Sequence, residues 1–333
     1  MDILVLGGSQ FVGRHLVDVA LKNKHKVTIF NRGVSNPGIF PDAEEIHGDR
    51  DGNLALLEGK KWDIVFDVNG YVPRVVRQSA ELLKDAVDHY IYVSTISVYE
   101  DFTQATEDGP TQELEDPTSE EVMKYYGGLK AACERVVEEI YGERSLIVRP
   151  GFVVGPYDNV GRLPYLLRRF DRAGERLAGR ADQPVQIISA RDLGNWMLKN
   201  GKDRVTGTYN LTGQPMPMDD LLESVIMATG RETQISYTGD SFLQEHEIQP
   251  VDGLIYWVPE EYYPLMQVSI KRALETGLSL TPISETVKET LEWIRDQGLS
   301  IDDLPERWQT IRLSLEREAE LLVDWHQRQQ QTN

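Results

Sequence analysis

A glycine-rich turn set directly after the first strand constrains this chain more than any other feature. Asp2–Leu6 is an apolar run of strand length, and Leu6-Gly7-Gly8-Ser9-Gln10-Phe11-Val12-Gly13 joins it to an amphipathic helical pattern over Arg14–Lys22. Glycines here make a tight turn, let backbone approach a pyrophosphate, and let helix and strand pack closely. The pyrophosphate would rest on the helix N-terminus, where free N–H groups and the helix dipole favour an anion. Gln10 occupies the place of the middle glycine, so its side chain must either turn away from the ligand or touch it. Gly8 relieves part of that crowding.

Downstream, strand and helix patterns alternate. Lys26–Phe30 is a second strand, Glu45–His47 a weak third, and Asn53–Leu57 a short helix. Trp62–Val68 and Tyr90–Thr95 are strands around an Arg74–Val87 helix. Glu120–Ile140 is mostly helical and Ser145–Val154 a strand. Such alternation implies parallel pairing through right-handed crossovers, hence an α/β fold with a doubly wound Rossmann sheet. After Pro156 the order changes. Arg162–Arg176 reads as helix, Val185–Ile188 as strand, a helix starts near Asp192, Thr208–Leu211 is a strand, and Asp219–Thr229 and Leu313–His326 are helices. Gln327–Asn333 reads as a fraying tail. With 333 residues, one large and one smaller domain are expected. Residues 1–156 would be the dinucleotide-binding domain, rejoined by 184–200, and 157–333 mainly a substrate-binding α/β domain.

Composition weighs against several classes. The net charge of -19 repels phosphate backbones and disfavours nucleic acid as a general partner. The one cysteine, Cys133, lies in a helical pattern and reads as a packed thiol, not a nucleophile. The six histidines, at 15, 25, 47, 89, 246 and 326, show no metal-site spacing, so no catalytic metal is expected. No run reaches the roughly 18 apolar residues of a membrane span, and MDILVLGG lacks the pattern of a signal peptide. A cytoplasmic protein is the expectation.

Two further clusters carry chemistry. The second strand ends at Phe30-Asn31-Arg32-Gly33 without the carboxylate that holds a ribose 2′-hydroxyl in NAD-preferring folds. Arg32 could pair with a 2′-phosphate, which favours NADP, although NAD is possible. Alternatively, Arg32 is a loop residue stacked on adenine. Asp49, in Gly48-Asp49-Arg50-Asp51, is a candidate for the adenine edge or a turn residue. Tyr126 and Lys130 stand four apart and share one helix face. An ammonium beside a phenol favours the phenolate, so such a tyrosine can move a proton as hydride moves. Tyr125 lies about 140° off the Lys130 face and is the weaker candidate. Gly127 and Gly128 inside that helix cost about 1 kcal/mol each, which implies a close approach. Upstream, Ser94-Thr95-Ile96-Ser97-Val98-Tyr99 ends a strand in hydroxyls.

With Gly7–Gly13, Ser94–Tyr99, Tyr126–Lys130 and Arg149-Pro150-Gly151-Phe152-Val153-Val154-Gly155-Pro156 in this order, the chain resembles an extended short-chain dehydrogenase/reductase of the NAD-dependent epimerase/dehydratase family. Ile188–Leu193 and Gly207–Leu211 resemble that family's later strands. The resemblance implies Thr95, Tyr126 and Lys130 as catalytic triad. It implies a cofactor site drawn from Gly7, Gly8, Ser9, Gln10, Phe11, Val12, Gly13, Asn31, Arg32, Asp49, Asn69 and Lys130. It implies a sugar-like, possibly nucleotide-sugar, alcohol or ketone as substrate, and a homodimer paired through Arg74–Val87 and Glu120–Ile140. Ile96-Ser97 stands where sugar dehydratases carry Asp-Glu, which argues against elimination. The Gly-Gly-Ser-Gln and Asn-Arg-Gly pieces also resemble an atypical branch that includes chloroplast stem-loop-binding proteins, so a non-catalytic regulator or RNA-associated protein is the alternative.

Two charged segments pull in opposite directions. Arg162, Arg168, Arg169, Arg172, Arg176 and Arg180 would suit a diphosphate, or form a solvated helix face. Glu100–Glu121 carries nine acidic residues and no Lys or Arg, and reads as a mobile loop over the site. Tyr256, Trp257, Tyr262 and Tyr263 could line a pocket, or pack as ordinary core.

Overall fold

The computed structural model describes residues 1–300 and 312–332, which form two compact units. The first comprises residues 1–153, 187–213 and 268–280; the second comprises 154–186, 214–267 and the described part of 281–333. Strands β1 (Asp2–Leu6), β2 (Lys26–Asn31), β3 (Glu44–His47), β4 (Trp62–Asp67), β5 (Val87–Val93) and β6 (Ser145–Pro150) join a Gly207–Leu211 strand in one seven-stranded sheet. Its order is Gly207–Leu211, β6, β5, β4, β1, β2, β3, and every pairing is parallel. This is the doubly wound arrangement expected from the alternation. Strand order reverses beside β1, and ligands bind such sheets outside the strand C-termini at that switch point.

Period-two alternation explains the two-sided core. Ile3 and Val5 of β1 pack on one face with Leu16, Val17 and Trp196. Leu4 and Leu6 pack on the other with Val76, Ala80 and Val137. Helix α1 (Phe11–Lys22) thus covers one face, while α2 (Pro73–Leu83) and α3 (Val122–Tyr141) cover the other. The register aligns Leu6 with Phe30 and Asp67, and Asp67 with Tyr92. Gly7, Asn31, Asn69 and Ser94 therefore share the C-terminal edge of the sheet.

Several boundaries differ from the sequence expectation. The 162–176 helix stops at Phe170, and Gly174–Ala178 is a strand paired in parallel with Thr233–Tyr237. Gly174, the first residue of that strand, has φ +115°, a conformation that glycine adopts without a Cβ penalty. The expected Val185–Ile188 strand is two short ones, Pro184–Val185 and Ile187–Ser189. The first unit takes in 187–213 and, unanticipated, 268–280. The latter segment is bonded to the sheet side by Trp196 Nε1 donating to the Ala273 carbonyl (3.2 Å) and Asn210 Nδ2 to that of Ser269 (3.1 Å). The last helix runs Leu315–Thr332 without a frayed start at Gln327; Arg328 there pairs with Glu245 and Asp324.

In the second unit, Leu177, Phe242, Leu254, Trp257 and Leu321 form a core. Beside it the buried guanidinium of Arg169 pairs with buried Glu318, and Glu318 also accepts from the Leu177 amide at 2.8 Å. Removing one partner of a buried pair strands the other charge. Glu318→Ala should therefore lower stability by about 3–5 kcal/mol, read as a fall in the urea midpoint; a loss under about 1 kcal/mol would contradict this role.

Candidate active site

The glycine turn is built on conformations that side chains avoid. Gly7 and Gly8 have φ +114° and +95°, and a Cβ on Gly7 would lie 2.6 Å from a Val68 methyl. Gly13 has no unusual φ, yet a Cβ there would lie 2.7 Å from the Gly8 nitrogen. The first turn of α1 thus rests directly on the Gly8 backbone. Gln10 is exposed and extended and does not cap α1 with its side chain. Phe11 is buried with φ +30°, a strained start of a kind that costs about 1–3 kcal/mol. Ser9 and Val12 are half-buried.

At the end of β2, Asn31 Oδ1 accepts from the Gly33 amide at 2.6 Å. Its Nδ2 is buried and has no partner among the described residues. Arg32 is exposed. Asn36 donates to the Ser9 carbonyl at 3.0 Å, which ties this loop to the glycine turn. Asp49 is exposed, and its carboxylate caps the Asp51 amide at 2.9 Å; in this structure it acts as a turn residue.

Beneath the edge lies a buried network that the sequence reading missed. Arg50 donates to both oxygens of Asp67 at 2.5 Å and to Ser79 at 2.6 Å. Tyr90 donates to Asp67 at 2.7 Å, and Arg50 reaches Asn69 Oδ1 at 3.4 Å. A carboxylate closing the apolar run Trp62–Asp67 was the available signal, since buried charges are paired. A second network joins Arg149 to Glu134 (2.6 Å) and the Tyr99 hydroxyl (3.0 Å).

Lys130 is 2% exposed. It donates to the carbonyls of Gly70 (2.6 Å) and Val93 (2.7 Å), and so bridges the ends of β4 and β5. The Tyr92 and Tyr71 rings lie 4.2 and 5.2 Å from its ammonium. Burial is the main cause that pulls its pKa down, to about 8, against the raising influence of the nearby Cys133 and Asp67 side chains. Thr95 is buried, and its hydroxyl caps the Ser97 amide at 3.1 Å. Tyr126 is 37% exposed, one residue past Tyr125, where α3 leaves helical geometry. A Cβ on Gly127 would lie 2.1 Å from the Ser97 carbonyl oxygen. The close approach that this glycine permits is therefore α3 against the Thr95–Ser97 turn. Tyr126, Ser97, Gln112, Glu113 and Leu114 line one pocket of about 320 Å³.

The acidic 100–121 segment is fastened, contrary to the expectation of a mobile loop. Gln112 donates to the Ser97 and Tyr99 carbonyls (3.0 and 3.2 Å), and Arg149 to that of Glu107 (3.3 Å). Much of the arginine series is committed within the second unit. Arg162 pairs with Asp252, Arg180 with Asp182, and Arg176 donates to the carbonyls of Arg169 and Arg172. Arg169 and Arg176 are buried and Arg172 is exposed. Tyr256 and Trp257 are fully buried core, and Tyr262 is exposed. Among the described residues, no helix is long and apolar enough to cross a membrane.

Residues 3–211 match the sequence profile of the NAD dependent epimerase/dehydratase family, and the chain belongs to that family of nicotinamide-dependent enzymes. It is similar over 118 residues, at 30% identity, to an Arabidopsis thaliana chloroplast stem-loop binding protein of 41 kDa, spanning 29% of this chain and 30% of that protein. Its fold is similar to UDP-glucuronic acid 4-epimerase of Bacillus cereus, crystallised with NAD (17% identity, TM-score 0.66, 89% of this chain and 100% of that one). It is also similar to UDP-glucose 4-epimerase of Thermotoga maritima (17% identity, TM-score 0.66, 90% and 100%).

The buried ammonium has a measurable consequence. Because folding disfavours the charged form of Lys130, the folded chain binds fewer protons than the unfolded chain between about pH 8 and the ordinary lysine value of about 10.4. The contribution of Lys130 to stability is therefore constant below that window and rises through it. The unfolding free energy of wild type relative to Lys130→Met should grow by up to about 3 kcal/mol from pH 7.5 to 10.5; a flat difference would contradict the shift.

Proposed function

We propose that the chain is a nicotinamide-dependent oxidoreductase or epimerase acting on a sugar-like alcohol or ketone, with Thr95, Tyr126 and Lys130 as its catalytic residues. The observation that carries this reading is the meeting of the three at one edge. Lys130 holds the Val93 carbonyl, and Thr95 lies two residues on. Tyr126 shares its pocket with Ser97, whose amide Thr95 caps.

The residues present fit the cofactor. Two buried polar groups without partners among the described residues, Asn31 Nδ2 and Ser94 Oγ, lie on the C-terminal edge. Gly7–Gly13 with the α1 N-terminus would hold the pyrophosphate, and Asn69 and Lys130 the nicotinamide ribose. The cofactor supplies hydride acceptance and donation when bound. Two of the three ammonium protons of Lys130 are committed to carbonyls, which leaves one N–H for a ribose hydroxyl or the phenol. Tyr126 exchanges a proton with the substrate oxygen, and Thr95 orients that oxygen by hydrogen bonding.

We infer NADP as the cofactor, because Asn31 and Arg32 offer donors where a carboxylate would repel a 2′-phosphate. The solved relative crystallised with NAD makes NADH the comparison. The substrate reading is supported by the pocket, whose lining includes hydroxyl, amide, carboxylate, ammonium and phenol groups beside Leu114 and Met123. Such a lining suits a polyhydroxylated ring. A cytoplasmic homodimer paired through α2 and α3 completes the reading; a solution mass of one chain would overturn the dimer.

The chloroplast similarity keeps a second reading in view, a cofactor-binding protein that associates with RNA. Retention of a stem-loop RNA on a filter at physiological salt would favour it, and the charge of -19 weighs against it.

NADPH should bind more tightly than NADH in a fluorescence titration, and Arg32→Ala should remove most of that preference. Equal or tighter NADH binding sinks the 2′-phosphate assignment alone, whereas no binding of either sinks the enzyme reading. With a UDP-sugar or simple keto-sugar that is turned over, Tyr126→Phe should cut kcat by about 10²–10⁴; full activity in that variant would remove Tyr126 from the chemistry.

A further inference from the structure

Tyr71 stands two residues past Asn69, in the turn that leaves β4. Its ring centre lies 5.2 Å from the Lys130 ammonium and 6.4 Å from the Tyr126 ring centre, tilted 38° to it. It therefore sits beside both members of the Tyr-Lys pair. The backbone beneath it is clamped. The adjacent Gly70 carbonyl accepts from Lys130 (2.6 Å) and from the Tyr92 hydroxyl (2.8 Å), and a Cβ on Gly70 would meet Val76 and Tyr92 at 2.8 and 2.9 Å. The Lys130 ammonium lies over the ring, yet the residue as a whole is 43% exposed. Most large aromatics on a fixed backbone bury their faces. Here one is held at the reaction centre with much of its surface open.

We propose that Tyr71 is a positioning residue for the nicotinamide end of the cofactor, its open ring serving as the platform on which the nicotinamide rests beside Lys130 and Tyr126. The inference rests on the cofactor reading above and assigns a residue to it. Offset stacking on a fixed ring would restrict the planar nicotinamide to one depth in the site.

The test compares the whole cofactor with the same molecule lacking nicotinamide. NADP⁺, NADPH and 2′-phospho-ADP-ribose (or NAD⁺, NADH and ADP-ribose, whichever pair the wild type prefers) are titrated into wild type, Tyr71→Phe and Tyr71→Leu by calorimetry. Tyr71→Leu should weaken both whole cofactors about fivefold to tenfold and leave the nicotinamide-free fragment unchanged. Tyr71→Phe keeps the ring and should match wild type. Equal weakening of the fragment, or no weakening of the oxidised cofactor in Tyr71→Leu, overturns the proposal. Failure of wild type to bind any whole cofactor instead sinks the cofactor reading itself, and the assignment of Tyr71 falls with it.

Discussion

The ammonium of Lys130 fixes the geometry around it. A buried charge is tolerated only where polar groups replace water, and here the replacements are the carbonyls of Gly70 and Val93. Those carbonyls belong to the segments that leave two neighbouring strands. One side chain from α3 thus sets the spacing of the β4 and β5 exits, and with it the places of Asn69, Tyr71 and Thr95. A surface lysine at this position would hold neither strand.

Around that contact, the structure relies on missing atoms as much as on present ones. Gly127 lets α3 touch the Ser97 carbonyl, and Gly13 lets α1 touch Gly8. Both helices are thereby brought one methyl closer to the sheet edge than any other residue would permit. The buried Arg50–Asp67 and Arg149–Glu134 pairs stiffen the strands on either side of the centre. Such pairs contribute modest net stability, because desolvation offsets attraction, yet breaking one is costly. They restrict the edge to one arrangement.

Much of this was legible in the sequence where local rules act. The glycine turn, the alternating strands and the i, i+4 relation of Tyr126 and Lys130 are period and spacing, and the parallel sheet follows from them. What depends on distant partners was not legible. Arg50 and Asp67 are 17 residues apart in the chain, and nothing local pairs them. Arg169 and Arg176 look like a basic face because their partners, Glu318 and main-chain carbonyls, are invisible to periodicity. The acidic 100–121 segment looks mobile by composition, yet Gln112 and Arg149 fasten it through carbonyl groups that every residue carries.

The fate of the arginines redirects the search for the substrate. Guanidinium forks committed to Asp252, Asp182, Glu318 and backbone oxygens cannot grip a diphosphate without breaking pairs, two of whose members are buried. The pocket beside Tyr126 offers the Ser97 hydroxyl, the Gln112 amide, the Glu113 carboxylate, the Lys124 ammonium and the Tyr126 phenol. A carboxylate and an ammonium thus stand together in its lining, and hydrogen-bonding groups characterise it more than net charge does.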